Sequence, residues 1–190
     1  MPLRQRQEVQ ALPRTECLSG SSPLLIVFGG LPGTGKTTIA RELTRRLGAS
    51  YLRIDTIEQR LREAGLAVGA SGYVIANALA AENLLIGRTV IADCVNPVAA
   101  SRNGWRETAD RCAARLIEIE LVCSDADAHR RRVESRPTDA VSGHKQPTWD
   151  EVVNRDYEPW KRDHLVLDTA ADSVDRLADR AEAYVRDAGR

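Results

Sequence analysis

Five apolar residues, Leu24-Leu25-Ile26-Val27-Phe28, run almost directly into Gly30-Leu31-Pro32-Gly33-Thr34-Gly35-Lys36-Thr37, which fits G-x-x-x-x-G-K-[ST] at every fixed position. That order commits the chain to a buried strand, a glycine turn and a helix. Glycines in such a turn let main-chain N–H groups close on an anion, because no side chain obstructs the approach. The helix beginning near Thr37 brings the positive end of its dipole to the same point. The spacing assigns Lys36 to the β and γ phosphates of a nucleotide and the Thr37 hydroxyl to Mg²⁺, with Thr38 following on the same turn. A bare glycine turn has no use for a Lys-Thr pair at that spacing.

A chain of 190 residues accommodates one α/β domain with a small insertion, and is long enough to bury a real core. Its 27 basic residues balance 27 acidic ones, so no overall charge draws it to nucleic acid or to an anionic membrane. A local basic groove is still compatible with that balance. Cys17, Cys94, Cys112 and Cys123 form no CxxC or Cys/His cluster, which points to reduced thiols in a cytoplasmic protein and to neither zinc nor a disulfide framework. No apolar stretch reaches the roughly 18 residues of a spanning helix, and the first residues lack the apolar centre of a signal peptide. Residues 1–22 carry Arg4, Arg6, Arg14, two prolines and Ser-Gly-Ser-Ser without an apolar period, and read as a loosely ordered tail ahead of a domain at 23–190.

Ile39, Leu43 and Leu47 fall at helical spacing before Gly48, a fitting helix terminator. Tyr51-Leu52-Arg53-Ile54 predicts a second strand ending on Asp55, and Ile57 and Leu61 a helix over 56–64. Residues 73–86, rich in Ala and Leu, predict a largely buried helix. Thr89-Val90-Ile91-Ala92 is a third strand ending on Asp93; Pro97 opens a helix running to about Ala113, and 116–122 is a fourth strand. Ser124, with Asp127 three residues on, resembles an N-terminal cap for a helix bearing Arg130, Arg131, Arg132 and Arg136. Residues 137–147 read as a loop, Thr148 and Glu151 as a capping box, Leu165-Val166-Leu167 as a fifth strand ending on Asp168, and Val174, Leu177, Ala178, Ala181, Tyr184 and Val185 as one face of a closing helix. Apolar strands alternating with helices make a parallel sheet covered on both faces, whose ligands bind beyond the carboxyl ends of the strands.

Those ends place Asp55, Asp93 and Asp168 on one edge with the phosphate loop. Asp55 is assigned to orient an acceptor hydroxyl and take its proton, and Asp93 to hold Mg²⁺ through water or contact the acceptor; capping of the following helix is the plainer reading of each. Arg132 and Arg136, four apart, share a helix face from which they would close over a triphosphate, although an arginine run is commonly just a solvated face. His144 and Lys145 fall in the loop they border. Trp149 and Trp160 are read as packing residues ahead of ring-stacking ones, with Trp105 and Tyr157 the remaining prominent aromatics. Asp168 and Thr169 would border an adenine. Cys94 stands where many ATP-hydrolysing motors place a water-activating glutamate, and no N-K-x-D guanine-reading sequence occurs, so transfer from ATP to a bound acceptor is favoured over hydrolysis.

The phosphate loop, Asp55, the Asp93-Cys94-Val95-Asn96-Pro97 stretch with Arg102 and Trp105, and the arginine helix before a Pro-bounded loop together resemble the small P-loop kinases grouped as AAA-like or zeta-toxin-like ATP-binding proteins. The group is similar to the kinase domain of bacteriophage polynucleotide kinase and, more distantly, to adenylylsulfate, gluconate and chloramphenicol kinases. The resemblance spans about 24–184. It implies a three-layer sandwich on a five-stranded parallel sheet of order 2-3-1-4-5, a small helical lid at about 130–160, ATP with Mg²⁺, and γ-phosphate transfer to a hydroxyl or similar oxygen. Asp55, Asp93, Asn96, Arg132 and Arg136 match the group's pattern by position. Asp-Cys-Val-Asn replaces the Asp-Thr-Asn usual in polynucleotide kinase-like members, which directs the expectation to a small-molecule acceptor ahead of a nucleic-acid 5′-hydroxyl. A nucleotide-binding switch module with no acceptor is the alternative of a different class.

Overall fold

The computed structural model describes residues 22–135 and 146–188. In chain order the elements are β1 (Leu24–Gly29), α1 (Lys36–Leu47), β2 (Ser50–Arg53), α2 (Ile54–Glu63), α3 (Ser71–Leu85), β3 (Val90–Asp93), α4 (Ala99–Arg111), β4 (Arg115–Val122), α5 (Ala126–Glu134), α6 (Trp149–Val153), β5 (Leu165–Asp168) and α7 (Val174–Asp187). The five strands pair in parallel in the order β2-β3-β1-β4-β5. The chain leaves β1 toward β2 on one side and later crosses to β4 on the other. The carboxyl end of β1 therefore sits where the winding reverses, the place where such sheets leave a crevice.

Side-chain alternation along the strands divides the core between two faces. Ile26 and Phe28 of β1 pack with Ile39 and Leu43 of α1 and with Leu177 and Ala181 of α7. Leu25 and Val27 point the other way, onto Ala76, Ala80 and Leu84 of α3 and Trp105 of α4. Each fully buried side chain of this size contributes about 1.5–3 kcal/mol. The resulting sandwich holds the strand ends still, which is what a site built on their loops requires.

Several elements depart from the sequence expectations. β2 stops at Arg53, so Asp55 lies in the first turn of α2. The cap of α5 is Asp125, whose carboxylate accepts from the Ala128 N–H at 2.9 Å, and Ser124 instead donates its N–H to Asp168. The capping box at Thr148 and Glu151 is present as read. α3 buries only Gly72, Ala76, Ala80 and Leu84, a stripe at every fourth residue, while Val74, Ile75, Leu79 and Leu85 face outward. Propensity makes this segment helical; apolarity on all sides does not by itself supply a second surface to pack on.

β4 holds a further departure. Ile117, Ile119 and Leu121 face the α1–α7 layer, while Glu118 and Glu120 face the opposite side. A strap at 155–164 crosses that side and answers both acids. Arg162 approaches Glu118 with Nε and Nη2, each at 3.3 Å, and Tyr157 Oη donates to Glu120 at 2.7 Å. His164 lies between the Arg162 carbonyl at 2.7 Å and Glu120 at 3.1 Å. The tail at 1–21 and residues 136–145, with Arg136, His144 and Lys145, lie outside the described residues. Among the described residues no helix is long and apolar enough to cross a membrane.

Candidate active site

The loop after β1 is shaped by glycines at positive φ: Gly30 at 131°, Gly33 at 85° and Gly35 at 87°. A Cβ on Gly30 would meet the Leu121 carbonyl oxygen at 2.2 Å, and one on Gly33 would meet Val133 Cγ2 at 2.5 Å. Close approach and backbone conformation both demand glycine there. The Gly30 N–H donates to the Val95 carbonyl at 3.0 Å, fastening the loop to the segment after β3. Inside the turn, Thr34 Oγ1 and Lys36 Nζ donate to the Leu31 carbonyl at 2.9 and 2.7 Å. The lysine is thus held inward, nearly buried, at the mouth of α1.

Beside the loop opens a cavity of about 1100 Å³. Pro32, Gly33, Gly35, Lys36, Thr37 and Thr38 form one wall, Asp55 and Asp93 another, and Arg132 also lines it. Residues singled out from four distant stretches of sequence are therefore brought together. Gly30, Leu31 and Thr34 support the loop from behind. A nucleotide phosphate suits the glycine turn and the α1 terminus, and Mg²⁺ suits the Thr37 hydroxyl with the Asp93 carboxylate nearby, since this ion takes few protein oxygens and keeps phosphates and water. Among the described residues no group of three or more His, Cys, Asp or Glu is arranged to hold a metal by itself.

The two aspartates differ in surroundings. Asp93 ends β3 in register with Phe28 of β1 and Arg53 of β2, and is almost wholly buried. Its Oδ2 accepts from Tyr51 Oη at 2.6 Å and lies 3.9 Å from Arg53 Nε. Burial first, and then the Asp93 charge, pushes the Tyr51 phenol far above its ordinary range, so it stays a donor. Asp55 is more open, with Arg53 Nη2 donating to its Oδ2 at 3.1 Å. One guanidinium thus steadies both carboxylates.

Arg132 projects from α5 toward β5. Its Nη1 donates to Thr169 Oγ1 at 2.7 Å and its Nη2 to the Thr169 carbonyl at 3.0 Å. A Cβ on Gly35 would lie 3.4 Å from Thr169 Cγ2, so arginine and threonine together frame one flank of the loop. Asp168 does not line the cavity: it accepts from the Ser124 and Ala170 N–H groups, and hydrogen bonding from Ser124 holds its carboxyl below the usual carboxylate range.

His129 is a contributor that sequence reasoning missed. Its Nε2 donates to the Pro32 carbonyl at 2.8 Å, and its ring stands edge-on to Trp149 at 5.2 Å. A His four residues before Val133 marks the inward face of α5, a signal the neighbouring arginines hide. Cys94 is buried against Phe28, Tyr73 and Trp105, donating to the Phe28 carbonyl; burial, and next the Asp93 charge, pushes its thiol well above the ordinary range. Trp149 and Trp160 both pack on protein groups.

A family profile described as an AAA domain matches residues 25–158, most of the chain. The chain belongs to this AAA domain family. It is 29% identical over 182 residues to an uncharacterized protein of Mycobacterium tuberculosis, covering 77% of this chain and 36% of that one. The chain thus spans about a third of the length of the first curated relatives it matches. It is 26% identical to a probable adenylyl-sulfate kinase of Aeropyrum pernix, over 80% of this chain and 86% of that one. Among solved structures, the Mycobacterium tuberculosis APS kinase CysC in complex with AMPPNP and APS superposes with a TM-score of 0.69 at 22% identity, over 87% and 99% of the two chains. A gluconokinase from Sinorhizobium meliloti gives 0.63 at 19%, over 89% and 95%. The fold is that of the P-loop kinases.

Proposed function

We propose that this chain is an ATP-dependent kinase that transfers the γ-phosphate to a hydroxyl of a small molecule. The observation that carries the reading is a single cavity lined by the phosphate loop together with Asp55 and Asp93. Its size accommodates a nucleotide and a second substrate side by side, so transfer between two bound partners avoids the cost of collision. Lys36 and the loop amides hold the phosphates, and Arg132 offers charge from the flank. Arg136 is assigned with it on sequence spacing alone. Mg²⁺ on Thr37, with Asp93 beyond, would supply charge neutralisation between the β and γ phosphates.

Asp55 orients the acceptor. Its carboxylate receives the hydroxyl proton as the oxygen bonds to the γ phosphorus and the bond to the bridging oxygen of ADP breaks. Glu58, Glu63 and Glu151 line the same cavity, against Arg62 and Arg155. Three carboxylates against two guanidiniums among these residues favour a small acceptor over a polyanionic strand. An adenylyl-sulfate or gluconate acceptor is named for relatives, and each is a candidate to be tried.

The test is incubation of purified protein with labelled ATP and Mg²⁺ against separate pools of hydroxyl-bearing metabolites and of 5′-hydroxyl oligonucleotides. Label entering a metabolite is the expected result; label entering oligonucleotides alone would overturn the small-molecule reading. Nucleotide binding with no transfer to either pool, and no effect of Asp55→Asn on function, would identify a switch module instead. Lys36→Ala is expected to abolish transfer while circular dichroism stays that of the parent.

A further inference from the structure

Arg102, in the first turn of α4, is about 3% exposed and meets no carboxylate among the described residues. Its guanidinium is satisfied by main chain alone. Nε donates to the Asn96 carbonyl at 3.0 Å, Nη2 to those of Pro97 at 3.0 Å and Glu158 at 2.6 Å, and Nη1 to that of Pro159 at 3.1 Å. Its Cζ lies 4.3 Å from the Trp160 ring centre and 5.4 Å from that of Tyr157. Two of the four acceptors belong to the 93–97 segment and two to the strap.

Both segments build the cavity. Val95 and Pro97 line it beside Asp93, and Asn154 and Arg155, where the strap begins, line it as well. The two segments are joined further by the Glu158 N–H donating to the Pro97 carbonyl at 2.8 Å and the Ala99 N–H donating to Glu158 Oε2 at 2.7 Å. Trp160, the aromatic cover of Arg102, also abuts the strand entering the phosphate loop: a Cβ on Gly29 would fall 2.4 Å from its Cζ2. Asn96 accepts this geometry at φ 53°, a left-handed conformation that asparagine tolerates better than most residues.

We propose that Arg102 is a positioning residue, a staple that holds the acceptor wall after β3 in register with the strap that begins at Arg155. A buried cation without a counter-charge is costly unless each N–H finds an acceptor, and only a planar fork reaches four carbonyls on two segments at once. Lysine, with three donors on one nitrogen, cannot reach all four. The phosphate loop is closed by its own Thr34 and Lys36 bonds and meets the 93–97 segment through the Gly30–Val95 main-chain bond, so loosening the staple falls first on the acceptor side and only secondarily on nucleotide binding. The effect on transfer rests on the kinase reading; the coupling of the two segments does not.

The experiment compares the full chain with Arg102→Lys and Arg102→Met, and with Trp160→Phe as the variant that keeps the guanidinium should the others fail to fold. Calorimetry with Mg²⁺ and AMPPNP, hydrogen exchange by mass spectrometry and transfer kinetics with whichever acceptor takes label in the pool assay are read together. Nucleotide affinity within about twofold of the parent, exchange rising about tenfold or more in 95–98 and 156–161 together, and acceptor KM rising about tenfold with a smaller change in kcat are expected. In Trp160→Phe the same two segments loosen together by a lesser factor. Exchange rising in one segment alone, affinity falling in parallel, or an unchanged acceptor KM would overturn the proposal. If the parent transfers phosphate to nothing tested, the kinase reading fails, and joint loosening still supports the staple while separate loosening sinks it.

Discussion

At the residue scale, Asp55 and Asp93 separate by surroundings, and the difference can be measured. Asp55 is partly open and its partner Arg53 retains Asp93 nearby, so Asp55→Asn is expected to lower kcat by about two orders of magnitude with little change in melting temperature. Asp93→Asn removes the charge that Tyr51 and Arg53 were folded around and is expected to cost about 1–3 kcal/mol of stability along with activity. Paired melting curves and steady-state kinetics distinguish them; equal losses of stability would show that Asp55 is structural. Cys94 is packed against Phe28, Tyr73 and Trp105 and beside the Asp93 carboxylate, so Cys94→Glu would overpack the site and add a second buried negative charge next to Asp93. That variant is expected to be destabilised by several kcal/mol and to gain no ATP hydrolysis, checked by denaturant titration and phosphate release. The absence of a glutamate was readable from sequence, but the direction of the thiol was not, because it depends on which face α4 covers.

At the element scale, α1 and α7 are joined at their exposed edges by Arg46, which reaches Glu42 at 2.8 Å, Asp179 at 2.6 Å and Glu182 at 3.2 Å. Hydrogen bonds from Arg45, and then from Arg46, hold the Glu42 carboxyl down to about 2. A carboxyl depressed on folding contributes stability that is whole above its unfolded value, 4.5, and is lost as the pH falls toward 2. Melting temperature should therefore decline through that window, less steeply in Glu42→Gln, and 1 M salt should narrow the difference because the pairs are solvent-facing. These pairs could have been guessed from spacing within α1, yet not across to α7, since partners more than 130 residues apart leave no local pattern. The same limit explains the strap. Glu118 and Glu120 alternate with apolar residues as in a half-solvated strand, and their answer comes from Tyr157, Arg162 and His164, far along the chain. By contrast the phosphate loop, the Thr148 capping box and the Gly48 terminus of α1 were legible because each is closed by residues within a few positions.

At the scale of the whole molecule, the parallel sheet and its order place every loop that matters at one end, and that much followed from strands alternating with helices and from the family resemblance. Burial of α3 did not follow. Its composition is apolar all round, which in an isolated reading means a helix enclosed on every side. The sheet offers it one face only, taken by Ala76, Ala80 and Leu84 against Val27 and Ala92, and the other face keeps Val74, Ile75, Leu79, Leu85 and, just beyond, Ile86 in solvent. An exposed apolar side chain contributes little to the stability of the chain that bears it, so Val74→Lys combined with Leu79→Lys is expected to shift unfolding by no more than about 0.5 kcal/mol per site. Ala80→Lys, on the inward stripe, should cost several kcal/mol by burying a charge and overpacking the sheet. Thermal melts of both variants over a range of protein concentrations make the comparison. A loss in the outward double variant as large as that of Ala80→Lys, or one that grows with concentration in the parent's favour, would mean that the outward stripe is covered by another molecule in solution and that α3 has two packed faces after all.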